Sequence, residues 1–261
     1  MKHLQPSGTL KPFVKDYFIY TADENVTNEA LYPSGYVSLA VNISDGSVAT
    51  IINGNKIAMP KIEVLGQLTV PTRLMASKGT IILVVRFYPF ASSLFFPNTV
   101  SDFTNDSVDL RDVLDDELDK FYDELMQASS IEQMVMVLEP YLIQLLSRTK
   151  NAVKKVNGIE QICRQICSEE SFNIKNISCY FGLSDRYIQK LFYEMVGLTP
   201  GSFFSIQRFN RSLELVRSSK QSLTSIAHQC GYYDQAHFIK DFKKFAGSTP
   251  SEIRNFSTIS R

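Results

Sequence analysis

Two stretches of this chain repeat each other at an offset of fifty residues, and that repeat restricts the possible folds more than any other feature. GLSDRYIQKLFYEMVGLTP (182–200) and GYYDQAHFIKDFKKFAGSTP (231–250) both open on glycine, continue to a Ser or Asp, and close on G-x-T-P. In register, Lys190 matches Lys240, Phe192 matches Phe242, Gly197 matches Gly247 and Pro200 matches Pro250. Similarity in this order implies one supersecondary unit used twice.

Each copy has the grammar of two short helices joined by a tight turn. Ser184 and Asp234 are expected N-caps, because their side-chain oxygens can accept from the first free N–H groups of the helix that follows. Gly182 and Gly231 stand where the turn needs a residue without Cβ. Shorter supporting helices are expected upstream, at Ile174–Phe181 and Ser225–Cys230, which puts the two units at about 174–196 and 224–246. Thr199-Pro200 and Thr249-Pro250 place proline at the first position of a further helix, where its missing N–H costs nothing. Thr249 and Glu252 also have capping-box spacing.

The second helix of each unit divides into two faces. Ile188, Leu191, Phe192 and Met195 follow helical spacing and are expected in a core, as are Phe238, Phe242 and Phe245 in the other copy. That leaves Arg186, Gln189 and Lys190 on the open face of the first, and Ala236, Ile239 and Lys240, with Gln235 and His237 beside them, on the second. Arg, Lys and Gln can donate to guanine or pair with adenine in a major groove, and Ala or Ile can meet a thymine methyl group.

The 27 basic and 27 acidic residues cancel, but not evenly along the chain. Residues 1–150 carry 12 Lys+Arg against 18 Asp+Glu, net −6, while residues 151–261 carry 15 against 9, net +6. A basic nucleic-acid module joined to an acidic domain has this distribution. The domains are expected at 1–148 (acidic, β-rich, effector-binding or dimerising, with helices at its end) and 158–261 (DNA-binding). The polar stretch 149–157 reads as linker between them. No apolar run is long enough to span a bilayer or to act as a signal peptide, which leads to an expected cytoplasmic location. Cys163, Cys167, Cys179 and Cys230 and the scattered His3, His228 and His237 show no metal-ligand spacing, so the thiols read as small hydrophobes and neither metal nor cofactor is expected.

The acidic half begins with strands. Val37, Leu39, Val41 and Ile43 alternate with Tyr36, Ser38, Ala40 and Asn42, and Asn53-Gly54 separates two apolar runs as a hairpin turn does. Further strands are expected at Glu63–Thr69 and in IILVVRFY (81–88), which together suggest a small barrel or sandwich. After Pro97 the pattern turns helical: an acidic helix over 101–125, then Ile131–Leu146, capped by Ser129 with Glu132 closing the box. Ile131, Val135, Leu138, Leu142 and Leu145 form a stripe on this second helix that must be buried, in its own domain or against a second copy, and Pro140 is expected to kink it. The fold class is α+β: a small β-barrel or sandwich followed by helices, then an all-α domain of two helix-turn-helix units joined by a long helix.

Residues from about 155 to 256 resemble the AraC/XylS-type transcription regulators. The likeness rests on Ile226, Ala227, Gly231, Tyr232, Asp234, Ala236, His237, Phe238, Lys240, Phe242, Gly247, Thr249, Pro250, Ile253 and Arg254, and on the G-L-S-x-R stretch and Phe203…Arg208 in the first half. The resemblance implies that Arg186, Gln189 and Lys190 read one major groove of double-stranded DNA, and that Gln235, Ala236, His237 and Lys240 read the next. It implies an ion-pairing role for Arg208, and a departure at Ile239, where that family often carries a polar residue. The Pro-x-Gly stretch at Pro33–Gly35 is similar to sensor domains of one subgroup, which implies a small-molecule effector or a homodimer, and RNA polymerase as partner of an activator. A constitutive dimeric DNA-binding protein without effector is the second reading. An enzyme of the DNA-alkylation repair class, which shares the double motif, needs an acceptor cysteine in residues 1–150, and there is none.

Overall fold

The computed structural model describes residues 3–96, 99–114, 118–149, 153–169 and 171–259. Two antiparallel sheets come first. Strands β1 (His3–Leu4), β2 (Val14–Thr21), β9 (Ile81–Phe87), β4 (Val37–Asn42), β7 (Ile62–Leu65) and β10 (Ser107–Asp109) lie side by side in that order. Strands β3 (Val26–Leu31), β8 (Thr72–Ala76), β5 (Val48–Ile52) and β6 (Asn55–Ala58) form the smaller sheet. Both sheets stay open: the arrangement is a sandwich and not a closed barrel. The β5–β6 hairpin turns at Asn53 and Gly54, whose φ angles of 50° and 82° are the left-handed values that this turn demands.

The larger sheet is covered on both faces, which explains its sequence pattern. On β4, Val37, Leu39 and Val41 are fully buried against the helices, while Ser38 and Ala40 look toward the second sheet. On β9, Leu83, Val85 and Phe87 pack with the helices and Ile82, Val84 and Arg86 face the other way, so the run shows no polar alternation. Strand β7 stops at Leu65 although the apolar pattern continues. A Cβ at Gly66 would lie 1.8 Å from the Phe103 carbonyl, so the chain crosses too closely there for a regular ladder.

The acidic helix expected over 101–125 is a correction. Residues Val100–Phe103 and Leu110–Asp112 are single 3-10 turns, Ser107–Asp109 pairs with the free edge of β7, and only α1 (Leu118–Met126) is α-helical. Buried Val100, Phe103 and Leu110 sit at spacings that imitate a helix, but the open β7 edge offers the backbone better hydrogen bonds. Pro97, Asp115, Asp116 and Glu117 lie outside the described residues. Helix α2 (Ile131–Ser147) runs through Pro140, and its cap is Ser130, one residue later than expected: the Ser130 side chain accepts from the Gln133 amide, and Gln133 Oε1 accepts from Ser129. Its stripe Ile131, Leu138, Tyr141, Leu142 and Leu145 is buried in the same chain, and Tyr17 of β2 donates to Glu139 at 3.1 Å.

Helix α3 (Val153–Ser168) begins inside the stretch read as linker, of which residues 150–152 lie outside the described residues. Val156, Ile159, Ile162 and Ile166 recur at helical spacing and are buried, so the apolar period resumes earlier than the basic composition suggests. There follow α4 (Ile174–Phe181), α5 (Asp185–Val196), the long α6 (Pro200–Ser218), α7 (Leu223–Gln229), α8 (Gln235–Ala246) and α9 (Pro250–Ile259). One hydrophobic core runs without a break from the large sheet through these helices. No helix among the described residues is long and apolar enough to cross a membrane.

Candidate nucleic-acid interface

Helices α4–α5 and α7–α8 are two copies of one construction. Asn173 caps α4 and Ser184 caps α5, accepting from the amides of Lys175 and Tyr187. Ser222 and Asp234 do the same for α7 and α8, with Asp234 Oδ1 2.7 Å from the His237 amide. Each such cap contributes about 1 kcal/mol and sets where the helix begins. Both second helices end on a left-handed glycine, Gly197 at φ 78° and Gly247 at φ 73°, a conformation that costs other residues strain. Thr199 then caps α6. At the head of α9, Thr249 and Glu252 bond reciprocally, and the Thr249 backbone and hydroxyl bonds hold the Glu252 carboxyl below its ordinary pKa.

Burial sorts the side chains of α5 and α8. Ile188, Phe192 and Met195, and Phe238, Phe242 and Phe245, are buried, and Leu191 is half-buried. Arg186, Gln189 and Lys190 are exposed together on α5, where the Lys190 ammonium stands 3.7 Å from Glu194. On α8, Ala236, His237 and Lys240 are exposed. Gln235 is half-buried, and its carbonyl oxygen accepts from Thr224 at 2.7 Å, so it must give up that bond to reach a base. Ile239 is half-buried and packs against the core.

The two units are tied through α6. Phe209 of α6 meets Phe242 of α8 edge-on and Phe245 at a tilt, with ring centroids 5.1 and 5.3 Å apart. Arg208 pairs with Asp241 of α8 at 2.9 Å, and its guanidinium lies 3.9 Å from the Tyr232 ring, in the ion-pairing role that the resemblance implied. Three aromatic residues beside the polar faces escaped the sequence reading: Tyr187, Tyr193 and Tyr233 are exposed, Tyr233 by 88%. Their signal was present, since each falls off the apolar stripe of its own unit.

The N-terminal sandwich meets the ends of both second helices. Thr104 donates to the Gly197 carbonyl at 2.7 Å, and a Cβ at Gly247 would come within 3.1 Å of Pro71. These two contact segments are bonded to each other, because Asn105 bridges the amide and hydroxyl of Thr69. Tyr32 lies against Phe209, and Arg217 of α6 lies over the Tyr32 ring.

Fold and site together define a tandem helix-turn-helix protein with a two-sheet domain in front. The helix-turn-helix domain family matches residues 177–255, and a family described as a domain of unknown function (DUF6597) matches residues 2–109. The chain is 32% identical over 99 residues to the F1 operon positive regulatory protein of Yersinia pestis, covering 38% of this chain and 33% of that one. It is 26% identical over 122 residues to the arabinose operon regulatory protein of Escherichia coli K12, covering 43% and 42%. ToxT of Vibrio cholerae overlaps 92% of this chain and 97% of its own at 17% identity and a TM-score of 0.47. The helix-turn-helix match lies in the C-terminal part of the chain, behind a separate domain, and the chain is similar to AraC/XylS-type regulators. The chain spans about a third to two-fifths of the length of the curated relatives it matches.

Proposed function

We propose that this protein is a cytoplasmic, sequence-specific transcription regulator whose two helix-turn-helix units read successive major grooves of double-stranded DNA in response to a small-molecule effector. The repeated geometry carries the reading: two helices with the same cap, the same glycine exit and the same polar outward face, on a half-chain of net charge +6. Arg186, Gln189 and Lys190 serve one half of the site. Ala236, His237 and Lys240 serve the other, joined by Gln235 once Thr224 releases it.

The effector part of the reading rests on a cavity between the two sheets. Gly66 and Leu68 line it, and the Thr69–Arg73 stretch that follows reaches both contact points with the helix-turn-helix units. A ligand that shifts this segment would bias how both recognition helices sit. A homodimer using the outward Met136 and Ile143 of α2, and contact with RNA polymerase in an activator, belong to the same proposal.

Sequencing DNA selected by the purified full-length protein tests the reading directly. Affinity for the selected site should fall steeply with salt, log K against log [salt] having a slope of roughly −0.9 per phosphate contact. No enriched motif, or a salt-independent complex, would remove the assignment.

Single substitutions should separate the two halves. Gln189→Ala and Lys190→Ala are expected to relax base preference in one half-site, and Lys240→Ala in the other, about 34 Å away. Each lost base contact should cost about 1–3 kcal/mol for the preferred base. Uniform weakening with base preference intact would assign these side chains to phosphates instead.

A further inference from the structure

The cavity between the sheets has a volume of about 230 Å³, smaller than the ≈ 300–1,000 Å³ usual for drug-sized ligands. Its walls are mostly apolar, and Phe18, Tyr20, Leu31, Leu65, Leu74 and Val84 are among the residues that line it. Two charged residues interrupt them, and they differ sharply. The guanidinium of Arg86 is already held by Asp16, and it lies against the rings of Phe18 and Tyr36. Glu63 has no cation paired with it among the described residues.

Glu63 sits on β7 at only 4% exposure, opposite Ala40 of β4, whose small side chain leaves the carboxyl open to the cavity. One of its oxygens accepts from the Ser107 hydroxyl of β10, and the other has no partner among the described residues. Asp109, opposite it on β10, accepts from the Arg111 amide. The remaining titratable groups on the wall are Tyr20, bonded to Glu29, and Tyr32 and Tyr36, the last bonded by Lys15. From the facing sheet come Val48, Thr50, Met59 and Leu74, none of them charged. A carboxyl in such surroundings is poorly solvated, and burial pushes its pKa up to about 7.

Building on the effector reading above, we propose that the cavity takes a small apolar molecule bearing one protonated amine, whose ammonium group pairs with Glu63. The apolar body replaces water along the walls, and the cation supplies the partner that the buried carboxylate lacks. A carboxylate ligand would place like charges together, and an alcohol would leave Glu63 without a counter-charge.

Calorimetry on the full chain with 2-phenylethylamine, 2-phenylethanol and phenylacetate tests this chemistry. The amine should bind, and the alcohol and the acid should bind at least tenfold more weakly. Since the free protein's carboxyl is protonated below about pH 7 and must ionise to pair, amine affinity should rise about tenfold from pH 6 to pH 8. Glu63→Gln keeps shape and one hydrogen bond but should lose amine binding tenfold or more. Ala40→Leu, which fills the space before the carboxyl, should lose it too. An amine that does not bind, that binds Glu63→Gln as well as the parent, or that is matched by the alcohol overturns the proposal. DNA affinity measured with and without each probe separates the two levels. An alcohol or acid that binds and changes DNA affinity keeps the effector reading and removes the amine. An amine that binds without changing DNA affinity keeps the site and removes the effector reading.

Discussion

A Leu138→Glu, Leu142→Glu double variant is expected to lose the folded N-terminal half outright. Both leucines are fully buried on the inward stripe of α2, beside Tyr141 and Leu145 and within the core that continues into the large sheet. Truncating one such leucine costs about 2–5 kcal/mol through lost burial and the cavity left behind. Each buried carboxylate adds several kcal/mol of desolvation with no partner to offset it. Two of these changes together match or exceed the 5–15 kcal/mol that hold an ordinary domain together. Circular dichroism should show the strand signal lost, with no cooperative thermal transition remaining for that half. Met136→Glu is the control, because Met136 lies on the outward face at 73% exposure. It should leave folding intact and, if α2 joins two copies, lower the apparent mass in light scattering. A folded double variant, whether monomer or dimer, would mean that this stripe is not the core of its domain.

How much of this was legible in the sequence depends on how local the governing physics is. Caps, turn glycines and faces in the C-terminal third were readable because each depends on residues within one helical turn: Ser184, Asp234, Gly182 and Gly231 do what their positions suggest. The hairpin at Asn53-Gly54 is local in the same sense. Strand β10 was not readable, because Ser107–Asp109 becomes a strand only through β7, more than forty residues earlier. The end of β7 likewise depends on Phe103 crossing at Gly66. Within the candidate interface, the exposed polar face of α5 followed from spacing alone. Gln235 and Ile239 did not: one is engaged by Thr224 of the preceding helix, and the other leans on a core assembled from several elements. The cavity was hidden for a related reason. Ser38, Ala40 and Glu63 share a cavity only because a second sheet covers their strands, which local alternation does not show.

Arg208→Ala should cost about 3–5 kcal/mol, the range for removing one member of a buried ion pair. Arg208 and Asp241 are 13% and 14% exposed, so little solvent is available to replace the missing partner. The substitution strands the Asp241 carboxylate on α8 and takes away the cation lying over Tyr232. Arg208→Lys should recover only part of the loss, because an ammonium cannot reproduce a planar group that pairs and stacks at once. Asp241→Ala should be similarly harmful. The double variant should cost less than the sum of the singles, with a coupling of about 0.5–3 kcal/mol, as residues in direct contact show. The same variants separate stability from recognition. The pair fixes α8 to α6, and α5 is held by other contacts, among them Phe192 against Phe203. Footprinting below the melting temperature should therefore lose protection in the half-site served by Lys240 before the half-site served by Lys190. Equal loss in both halves would show that the pair stabilises the whole domain without positioning α8, and an unchanged melting temperature would show that the buried pair contributes nothing to the fold.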